Sequence, residues 1–392
     1  MMRSFRGVVA GALALVFALP AGPAVAAGYG PVPNVNGYTI TSRQDLSPTL
    51  VYVQYRSSNP RRVINVAFLR RGGGQVLRRV LSNDRVAGPN PRVETVSSMC
   101  KRVSCRIAVN GDFFSTTTGQ PAGGMAIEGE PIRTPPDARH HFFADWSGYV
   151  GVHRISMPSK LYATYPNGQK PIYVHSINTA RDANRAVLYS RRWGYSTETT
   201  ASGFELVLRV TNAPLKMDKT MNVTIVGGAA RTNTSIPADG LVLSGSGGHA
   251  TALATLWNDV RRGAVPAAAT LMLDSVPDLR TYVGGTPALL QGGKQAFTSD
   301  GSSFMTKRDP KTMVGRRWNG DAILAVVDGR QPSWSVGMTM TEAMQFMRSL
   351  GATDALNLDG GGSSEFVKNG VVINKPSDGR ERPIAAALTI VG

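Results

Sequence analysis

The sequence contains few of the residues that most often build metal and redox sites. It has two cysteines and five histidines in 392 residues, and no H-x-x-x-H or H-E-x-x-H zinc pattern. Cys100 and Cys105 lack the C-x-x-C spacing of redox motifs and the second pair of a zinc site. In an oxidising compartment these two cysteines are expected to form a small disulfide loop.

Long apolar segments are also scarce. Residues 8–19 form an apolar run after Arg3 and Arg6, and an Ala-x-Ala sequence ends at Ala26. This arrangement is typical of a bacterial signal peptide, with an uncleaved anchor as the alternative. Residues 1–26 are therefore predicted to be removed on export. No later segment is apolar enough to span a bilayer, so the mature chain is predicted to be soluble and either extracellular or cell-wall associated.

Acidic residues are outnumbered by basic ones, with 26 Asp and Glu against 43 Lys and Arg and a formal net charge of +17. In an exported protein this excess indicates an anionic partner, such as a phosphate-bearing wall polymer or acidic lipid. The basic residues are scattered and no aromatic-basic stacking motif accompanies them, so nucleic acid is not an expected partner. The alternative is that the charge only maintains solubility.

The remaining pattern predicts an α/β class of the mixed α+β type, with a mixed β-sheet core and few helices. A glycine-rich stretch at 123–131 is predicted to be turn-like. Residues 284–320, which include the polar stretch 298–312, are predicted to form a long lid or binding loop, with a plain surface excursion as the alternative. Strands are predicted at residues 50–55, 63–69, 106–109, 186–189, 205–210, 223–226, 241–243 and 270–273, and a helix at 251–261.

The C-terminal part has the clearest organisation. An apolar run at 322–327 is followed by a capping box at Thr339 and Glu342, by apolar residues at helical spacing, and by another strand at 355–358. This order predicts a βαβ unit with parallel strands. An Asn-Gly pair at 369–370 then predicts a hairpin.

Polar and charged residues follow three of the predicted strands. Asp328 and Asp359 follow the two strands of the βαβ unit, at the edge where open α/β sheets bind ligands. Asn110 and Asp112 follow a third strand. The carboxylates can activate water, act as nucleophiles or ligate a metal, and Arg330 can bind a phosphate through two parallel hydrogen bonds. For Arg330, a surface salt bridge is the alternative.

The loop after Asp359 is rich in glycine and serine. Its residues are Gly360, Gly361, Gly362, Ser363 and Ser364. Consecutive glycines leave backbone N–H groups open to a phosphate oxygen. The loop lacks the lysine of a Walker A motif, the spacing of a dinucleotide-binding motif and the alternating acids of an EF-hand. A tight turn without a ligand is the alternative.

Five motifs, in this order along the chain, resemble those of the phosphodiester glycosidase family. They lie at residues 108–114, 284–290, 311–315, 327–330 and 357–364, and residues 178–189 and 382–383 agree with them. The resemblance extends from about residue 100 to the C-terminus. On this basis the chain is divided into a signal peptide (1–26), a strand-rich segment (27–99) and a phosphodiester glycosidase-like catalytic domain (100–392).

The resemblance implies hydrolysis of a sugar-1-phosphodiester at its glycosidic bond, giving a free sugar and a phosphomonoester. The catalytic carboxylate is expected to be Asp359, Asp328 or Asp112, with a slight preference for the first two. The expected substrate-binding residues are Asn110, Lys311, Thr312, Arg330, Gly360, Gly361, Gly362, Ser363, Ser364 and Arg382. Lys311 replaces the arginine usual in the family, which keeps the charge and loses two-point binding.

Two other functions agree with the same residues. The first is a metal-dependent phosphodiesterase that attacks phosphorus in wall polymers, with the aspartates as metal ligands. The second is a non-catalytic binder of anionic cell-wall glycan. The glycosidase hypothesis requires no cofactor, and a divalent metal ion is kept as an alternative. The expected partner is a phosphate-bearing carbohydrate substrate, and an anionic cell-wall polymer is a second candidate.

Overall fold

Strands dominate the computed structural model, which describes residues 28–86, 93–134, 139–211, 214–217, 219–273 and 279–392. The predicted signal peptide lies outside these residues. Helices are few, and the predicted mixed class with a sheet core is confirmed. Within the described ranges, no helix has the length and apolar character needed to cross a membrane.

The described strands and helices are numbered here in chain order. The strands are β1 (Thr39–Ser47), β2 (Leu50–Ser58), β3 (Arg61–Leu69), β4 (Val76–Leu81), β5 (Ile107–Asn110), β6 (Met125–Ile127), β7 (Glu130–Arg133), β8 (His140–Asp145), β9 (Val150–Arg154), β10 (Ser159–Tyr165), β11 (Gly168–Val174), β12 (Ser176–Ile177), β13 (Ala186–Tyr189), β14 (Phe204–Val210), β15 (Thr220–Ala229), β16 (Gly240–Gly245), β17 (Ala268–Leu273), β18 (Leu279–Gly284), β19 (Ala288–Gln291), β20 (Lys294–Gln295), β21 (Lys311–Arg317), β22 (Ala322–Val327), β23 (Ala352–Asn357), β24 (Phe366–Lys368), β25 (Val371–Val372) and β26 (Ala386–Val391). The helices are α1 (Val96–Arg102), α2 (Gly248–Arg261), α3 (Ser303–Thr306) and α4 (Met340–Ser349).

The central sheet has eight strands in the order β1-β2-β3-β22-β21-β23-β19-β20. Each neighbouring pair is antiparallel. Because side chains alternate along a strand, Ile323 and Ala325 of β22 pack in one core, while Leu324 and Val326 pack in another. Both faces of this sheet are therefore buried, which explains why β22 is apolar at every position.

Helix α4 covers one face of the central sheet. Ala343, Phe346 and Met347 recur at helical spacing and are buried in the core beneath it. The predicted capping box is present: the Thr339 hydroxyl accepts from the Glu342 N–H at 3.1 Å, and the Glu342 carboxylate accepts from the Thr339 N–H at 3.0 Å. The sequence signal for the start of this helix is thus confirmed.

Two five-stranded sheets cover the opposite face. Their orders are β25-β24-β5-β26-β4 and β7-β6-β18-β8-β9, and all their pairs are antiparallel. Val109, Phe142 and Leu388 from these sheets pack in the same core as Leu324. A second eight-stranded sheet, β11-β10-β17-β15-β14-β16-β13-β12, packs against α2 around a separate core that contains Leu206 and Leu253.

The structure differs from the sequence predictions in three places. Residues 284–320, predicted to be one long loop, hold β19, β20, α3 and β21. Short strands between glycine pairs and polar residues have the composition of a loop, which explains this error. Strands β22 and β23 flank α4 and run in the same direction, but β21 lies between them and is antiparallel to both. The stretch 123–131, predicted to be a turn, holds β6 and the start of β7, joined at Glu128 and Gly129, which both have positive φ. Two short strands around a tight turn have the composition of a loop, which explains the error.

Candidate active site

The candidate pocket lies at one edge of the central sheet. Asp359 follows β23 and Arg330 follows β22. Lys311 begins β21, which runs in the opposite direction, so its side chain reaches the same edge. The pocket has a volume of about 290 Å³. It is lined by Phe113, Phe304, Asp309, Lys311, Arg330, Asp359, Gly360, Gly361, Gly362 and Arg382.

Asn110, at the end of β5, connects the segments around this pocket. Its side-chain Nδ2 donates to the Asp359 carbonyl at 2.8 Å. Its Oδ1 accepts from the Thr312 hydroxyl at 2.6 Å and from the Glu365 N–H at 3.2 Å. Asn110 and Thr312 are both fully buried. Asn110 and Thr312, both predicted to bind substrate, therefore bond to each other and connect the segments around the pocket. Neither residue lines the pocket.

Asp359 is the predicted catalytic aspartate that lines the pocket. Its Oδ1 accepts from the Gly360 N–H at 2.8 Å. Burial raises the pKa of Asp359 above its ordinary value, while hydrogen bonds from Ser363 and the Gly360 N–H and the charge of Arg382 oppose the rise. A half-buried carboxylate held by its own loop is suited to act as a nucleophile or a base.

Three cationic side chains surround Asp359 in the pocket wall. Lys311 is buried, and burial lowers the pKa of its ammonium group. Arg330 donates from Nε to the Asp309 carboxylate at 2.8 Å. Arg382 donates from Nε to the Asp378 carboxylate at 3.0 Å. Because each arginine has five N–H donors, both keep donors available for an anion in the pocket.

The glycine loop contributes less to anion binding than its sequence predicts. The N–H groups of Gly360, Gly361, Ser363 and Ser364 are all used in hydrogen bonds within the protein. The glycines instead make room for arginines. A Cβ at Gly361 would lie 2.9 Å from Arg330 Nη2, and one at Gly362 would collide with the Arg382 guanidinium. These positions therefore need glycine because cationic side chains pack against the backbone.

Asp112 lies behind the pocket and is 5% exposed. Its Oδ1 accepts from the Phe113 N–H at 2.7 Å, and its Oδ2 has no hydrogen-bond partner among the described residues. Burial raises the pKa of Asp112 to about 6; the Phe113 N–H and the charge of Arg79 oppose the rise, and the charge of Asp359 adds to it. The carboxylate is within contact distance of Gly123 and Gly284, so that no side chain fits at either glycine.

Asp328, the third predicted catalytic aspartate, does not line the pocket. It is 1% exposed, and its Oδ2 accepts from Trp334 Nε1 at 2.7 Å. Its Oδ1 accepts from Asn374 Nδ2 at 3.0 Å and from the Lys375 N–H at 3.1 Å. The carboxylate is thus engaged by protein donors on both oxygens, and it joins the segment after β22 to the segment after β25.

The two serines of the loop face inward. Ser363 is fully buried, and its Oγ accepts from Arg382 Nη1 at 3.4 Å. Ser364 is 2% exposed, and its Oγ has no hydrogen-bond partner among the described residues. Neither hydroxyl belongs to the pocket wall, although Ser363 acts on the pocket through Asp359 and Arg382.

Several residues near the pocket were not predicted from the sequence. Phe304 lies on α3, within the stretch predicted to be a lid, and its ring centroid is 6.1 Å from that of Phe113. Asp309 and Asp378 hold the two pocket arginines. Glu365 is fully buried, its Oε1 accepts from the Arg382 N–H at 2.9 Å, and burial raises its pKa to about 9. In the sequence, the one indication of Glu365 was its position directly before the apolar residues that form β24.

The predicted disulfide is present between Cys100 and Cys105, with a Cα–Cα distance of 4.9 Å. It joins the last turn of α1 to Cys105, two residues before β5, and is buried. In the described part of the chain, no cluster of three or more His, Cys, Asp or Glu is placed to hold a metal ion.

The pocket wall thus combines the half-buried Asp359 carboxylate with three cationic side chains. Two of these, Arg330 and Arg382, are ion-paired with Asp309 and Asp378. Residues 212–391 match the family model described as phosphodiester glycosidase. The chain is 30% identical over 174 residues to N-acetylglucosamine-1-phosphodiester alpha-N-acetylglucosaminidase of Mus musculus, an alignment that covers 39% of this chain and 32% of the mouse protein. The predicted resemblance to the phosphodiester glycosidase family is thereby confirmed.

Other proteins are similar to this chain in sequence segments or in fold. An uncharacterized SPbeta prophage-derived protein of Bacillus subtilis is 39% identical over 83 residues, which cover 21% of this chain and 13% of that protein. A hypothetical protein from Synechocystis superposes with a TM-score of 0.66 and 18% identity, covering 90% of this chain and 68% of the other. A putative exported protein from Burkholderia pseudomallei gives a TM-score of 0.62 and 23% identity, with coverages of 85% and 74%. The two solved structures support the fold, and this chain spans a third or less of the length of the two curated relatives described above.

Proposed function

We propose that the protein is a phosphodiester glycosidase, which hydrolyses a sugar-1-phosphodiester at the glycosidic C–O bond. The products would be the free sugar and a phosphomonoester. The observation that carries the proposal is the position of Asp359 in a pocket whose wall also contains Lys311, Arg330 and Arg382. The family match over residues 212–391 supports it.

The chemistry follows from the leaving group. When the bond between the anomeric carbon and the phosphate oxygen breaks, the electron pair stays on the phosphate. A phosphomonoester has a second pKa of about 6, so it departs readily without a strong general acid. The site must mainly stabilise the negative charge that develops on the phosphate, and Lys311, Arg330 and Arg382 are placed to do so. Water supplies the hydroxyl group of the sugar, and its proton ends on the phosphate or in solvent.

Asp359 is proposed to be the carboxylate that attacks the anomeric carbon or activates water. It shares the pocket with the three cations, whereas Asp328 is engaged by Trp334, Asn374 and Lys375. Asp112 is proposed to act from behind the pocket through its charge.

We further propose that the enzyme is exported and acts on a phosphate-bearing glycan of the cell wall or the extracellular space. The signal-like pattern of residues 1–26 supports export. The net charge of +17 supports an anionic polymer as substrate, since an excess of positive charge raises the local concentration of such a molecule.

The bond that breaks can be tested with isotopically labelled water. The purified chain is incubated with N-acetylglucosamine-1-phosphate methyl diester in 18O-enriched water, and the phosphomonoester is examined by mass spectrometry. Its oxygens do not exchange with water under mild conditions, unlike the anomeric oxygen of a free sugar. A phosphomonoester without 18O is expected, because cleavage at carbon delivers the water oxygen to the sugar.

Incorporation of 18O into the phosphate would overturn the proposal and assign a phosphodiesterase that attacks phosphorus. A parallel reaction with excess chelator separates the two chemistries further. The glycosidase is expected to keep full activity there, and loss of activity that returns with a divalent metal would favour the metal-dependent alternative. Absence of turnover on a panel of sugar-1-phosphodiesters would favour a glycan binder.

A further inference from the structure

We propose that a second pocket beside the candidate active site binds another anionic group of the same substrate, so that the natural substrate carries repeated phosphates. This inference rests on the proposed function. The pocket has a volume of about 410 Å³ and lies between the β2–β3 turn and the segment after β22. It is lined by Gly37, Thr39, Arg56, Ser57, Ser58, Arg61, Arg62, Val63, Ser333 and Trp334.

The pocket is positively charged. It is lined by three arginines and, among the described residues, by no aspartate or glutamate. Arg62 is neutralised by Glu342, at 2.5 Å. Arg56 and Arg61 bond to neutral oxygens, those of the Gln54 side chain at 3.0 Å and the Ser333 carbonyl at 2.8 Å. Two guanidinium charges are therefore left to attract an anion, and each has further N–H donors.

Arg56 is held in a fixed position by an aromatic side chain. Its guanidinium carbon lies 4.5 Å from the ring centroid of Trp334, and the Lys375 ammonium lies 5.7 Å from the same ring. Trp334 is itself fixed, since its Nε1 donates to Asp328 Oδ2 at 2.7 Å. Stacking on Trp334 orients the Arg56 guanidinium before a ligand arrives, which reduces the entropy lost on binding.

A short segment joins this pocket to the candidate active site. Arg330 lines the active-site pocket and Trp334 lines the second one. Arg330 and Trp334 are four residues apart, so their Cα atoms lie within about 14 Å of each other. Neighbouring phosphates of one polymer are proposed to contact the two pockets through these residues. The segment is also rigid: Gln331 and Ser335 exchange two backbone hydrogen bonds, of 3.1 and 2.7 Å. In this proposal Asp328 is a positioning residue. By accepting a hydrogen bond from Trp334, it fixes the Trp334 side chain at the second pocket relative to the segment that begins at Arg330.

The ligand class follows from these contacts. Two guanidinium groups with serine hydroxyls nearby suit a phosphate-type oxyanion, and an uncharged sugar would leave the arginines without a partner. A substrate with one phosphodiester fills only the active-site pocket. A polymer with repeated phosphodiester groups engages both pockets at once and gains affinity because the second contact is intramolecular.

The test compares a double variant, R56Q/R61Q, with a matched control, R154Q/R209Q. The control removes the same charge from exposed arginines on β9 and β14, which belong to other sheets. Each protein is assayed on a small sugar-1-phosphodiester and on a polymer of sugar-phosphate repeats. For R56Q/R61Q, the KM for the polymer is expected to rise about tenfold or more, with the KM for the small substrate unchanged. The control is expected to change neither. An equal change on both substrates, or none on the polymer, would overturn the second pocket.

A binding assay keeps this test independent of turnover. Fluorescein-labelled inorganic polyphosphate is titrated against the wild-type chain and both double variants, with dextran as an uncharged competitor. Weaker binding by R56Q/R61Q alone supports the site even if no sugar-1-phosphodiester is hydrolysed, a result that would remove the proposed function only. Equal weakening in both double variants would mean general charge attraction and would overturn the site. Dextran sulfate as a second competitor shows whether the site prefers phosphate to other anions.

Discussion

Asp112, Asp328 and Asp359 each follow a strand, and at the scale of single residues their hydrogen-bond partners give them different roles. Asp359 lines the active-site pocket. Asp112 is buried behind it with one oxygen lacking a hydrogen-bond partner in the described chain. Asp328 accepts from Trp334, Asn374 and Lys375. A position after a strand thus predicts proximity to the site, and only the neighbouring donors distinguish a catalytic carboxylate from a structural one.

Replacing Asp359 by asparagine is expected to lower kcat by about 10³-fold with little change in stability. The amide keeps an oxygen that can accept from the Gly360 N–H, so the loop is retained while the nucleophile or base is lost. Steady-state kinetics and thermal unfolding of the same preparation check this expectation. Substantial residual turnover in the variant would show that another carboxylate performs the reaction.

Asp328→Asn serves as the contrasting variant. An amide cannot accept hydrogen bonds with its nitrogen, so one of the donors Trp334, Asn374 or Lys375 would face an N–H group. The free energy of unfolding is expected to fall by about 1–3 kcal/mol. Urea unfolding measures this change. Unaltered stability together with loss of turnover on the small substrate would return Asp328 to the catalytic candidates.

Glu365 is expected to make stability depend on pH. Burial raises its pKa to about 9 in the folded chain, from 4.5. A raised pKa means that the folded state binds the proton more tightly than the unfolded state. The stability linked to this proton is fully present below pH 4.5 and is lost as the pH rises through about 9.

The variant Glu365→Gln imitates the protonated side chain and does not titrate. At pH 8 its free energy of unfolding, measured with urea, is expected to exceed that of the wild-type chain by roughly 2–4 kcal/mol. Near pH 4 the two free energies are expected to match. As a control, the same comparison is made for Glu198→Gln, which removes one carboxylate at an exposed position. The same difference from the wild type at both pH values for Glu365→Gln would contradict the shifted pKa.

The sequence located some residues of the candidate site better than others. Lys311, Arg330, Asp359 and Arg382 belong to motifs that recur in one order in a family, so one sequence was enough to group them. Asp309 and Asp378 belong to no such motif, and a single acidic residue in a polar stretch is too common to indicate a site. It reaches the pocket through the bond it accepts from Arg330, and Arg330 adopts a left-handed backbone conformation with φ of +61°.

At the scale of secondary-structure elements, the start of α4 offers a clear test. Thr339→Ala removes the hydroxyl that accepts from the Glu342 N–H and is expected to cost about 1 kcal/mol of folding free energy. Thr341→Ala is the matched control, since Thr341 is exposed within the helix and alanine favours helices. Chemical denaturation of both variants measures the difference. Equal effects of the two substitutions would mean that the cap contributes nothing.

Elements were predictable where the local pattern reflects their surroundings. The uninterrupted apolar run of β22 and the helical spacing in α4 indicate two buried faces and one buried stripe, respectively. The stretch 123–131 was predicted to be turn-like, although it contains β6 and the start of β7. Strands of three and four residues have too few positions to show the alternation of apolar and polar side chains. The strand β21 between β22 and β23 could not be inferred locally, since sheet order depends on pairing between distant segments.

At the scale of the whole molecule, the strand β26 joins distant parts of the chain. It pairs with β4 on one side and with β5 on the other, and Leu388 and Ile390 are buried in the core beneath the central sheet. These pairings link residues 76–81 and 107–110 to the last described strand. Contacts of this kind impose a large loop-closure entropy before they stabilise the chain, which predicts slow folding.

Deleting residues 386–392 is expected to abolish cooperative folding. The deletion leaves β4 and β5 without their shared neighbour and exposes apolar side chains of three cores. The chain is expected to be recovered as aggregate, without a thermal transition by circular dichroism. Removing only the exposed Gly392 is the control and should leave the transition unchanged. A soluble, cooperatively unfolding deletion would show that β26 is dispensable.

The hydrogen bonds of Asn110 have a consequence for how the protein is made. This one amide contacts Thr312, Asp359 and Glu365, and its bond to Glu365 spans 255 positions of the chain. During synthesis, β5 and Asn110 therefore exist long before any of these partners has been translated. A nascent chain that stops short of Thr312 has none of the partners that fix Asn110, and one that stops short of Arg382 lacks part of the pocket wall. We therefore expect incomplete translation products to be catalytically silent.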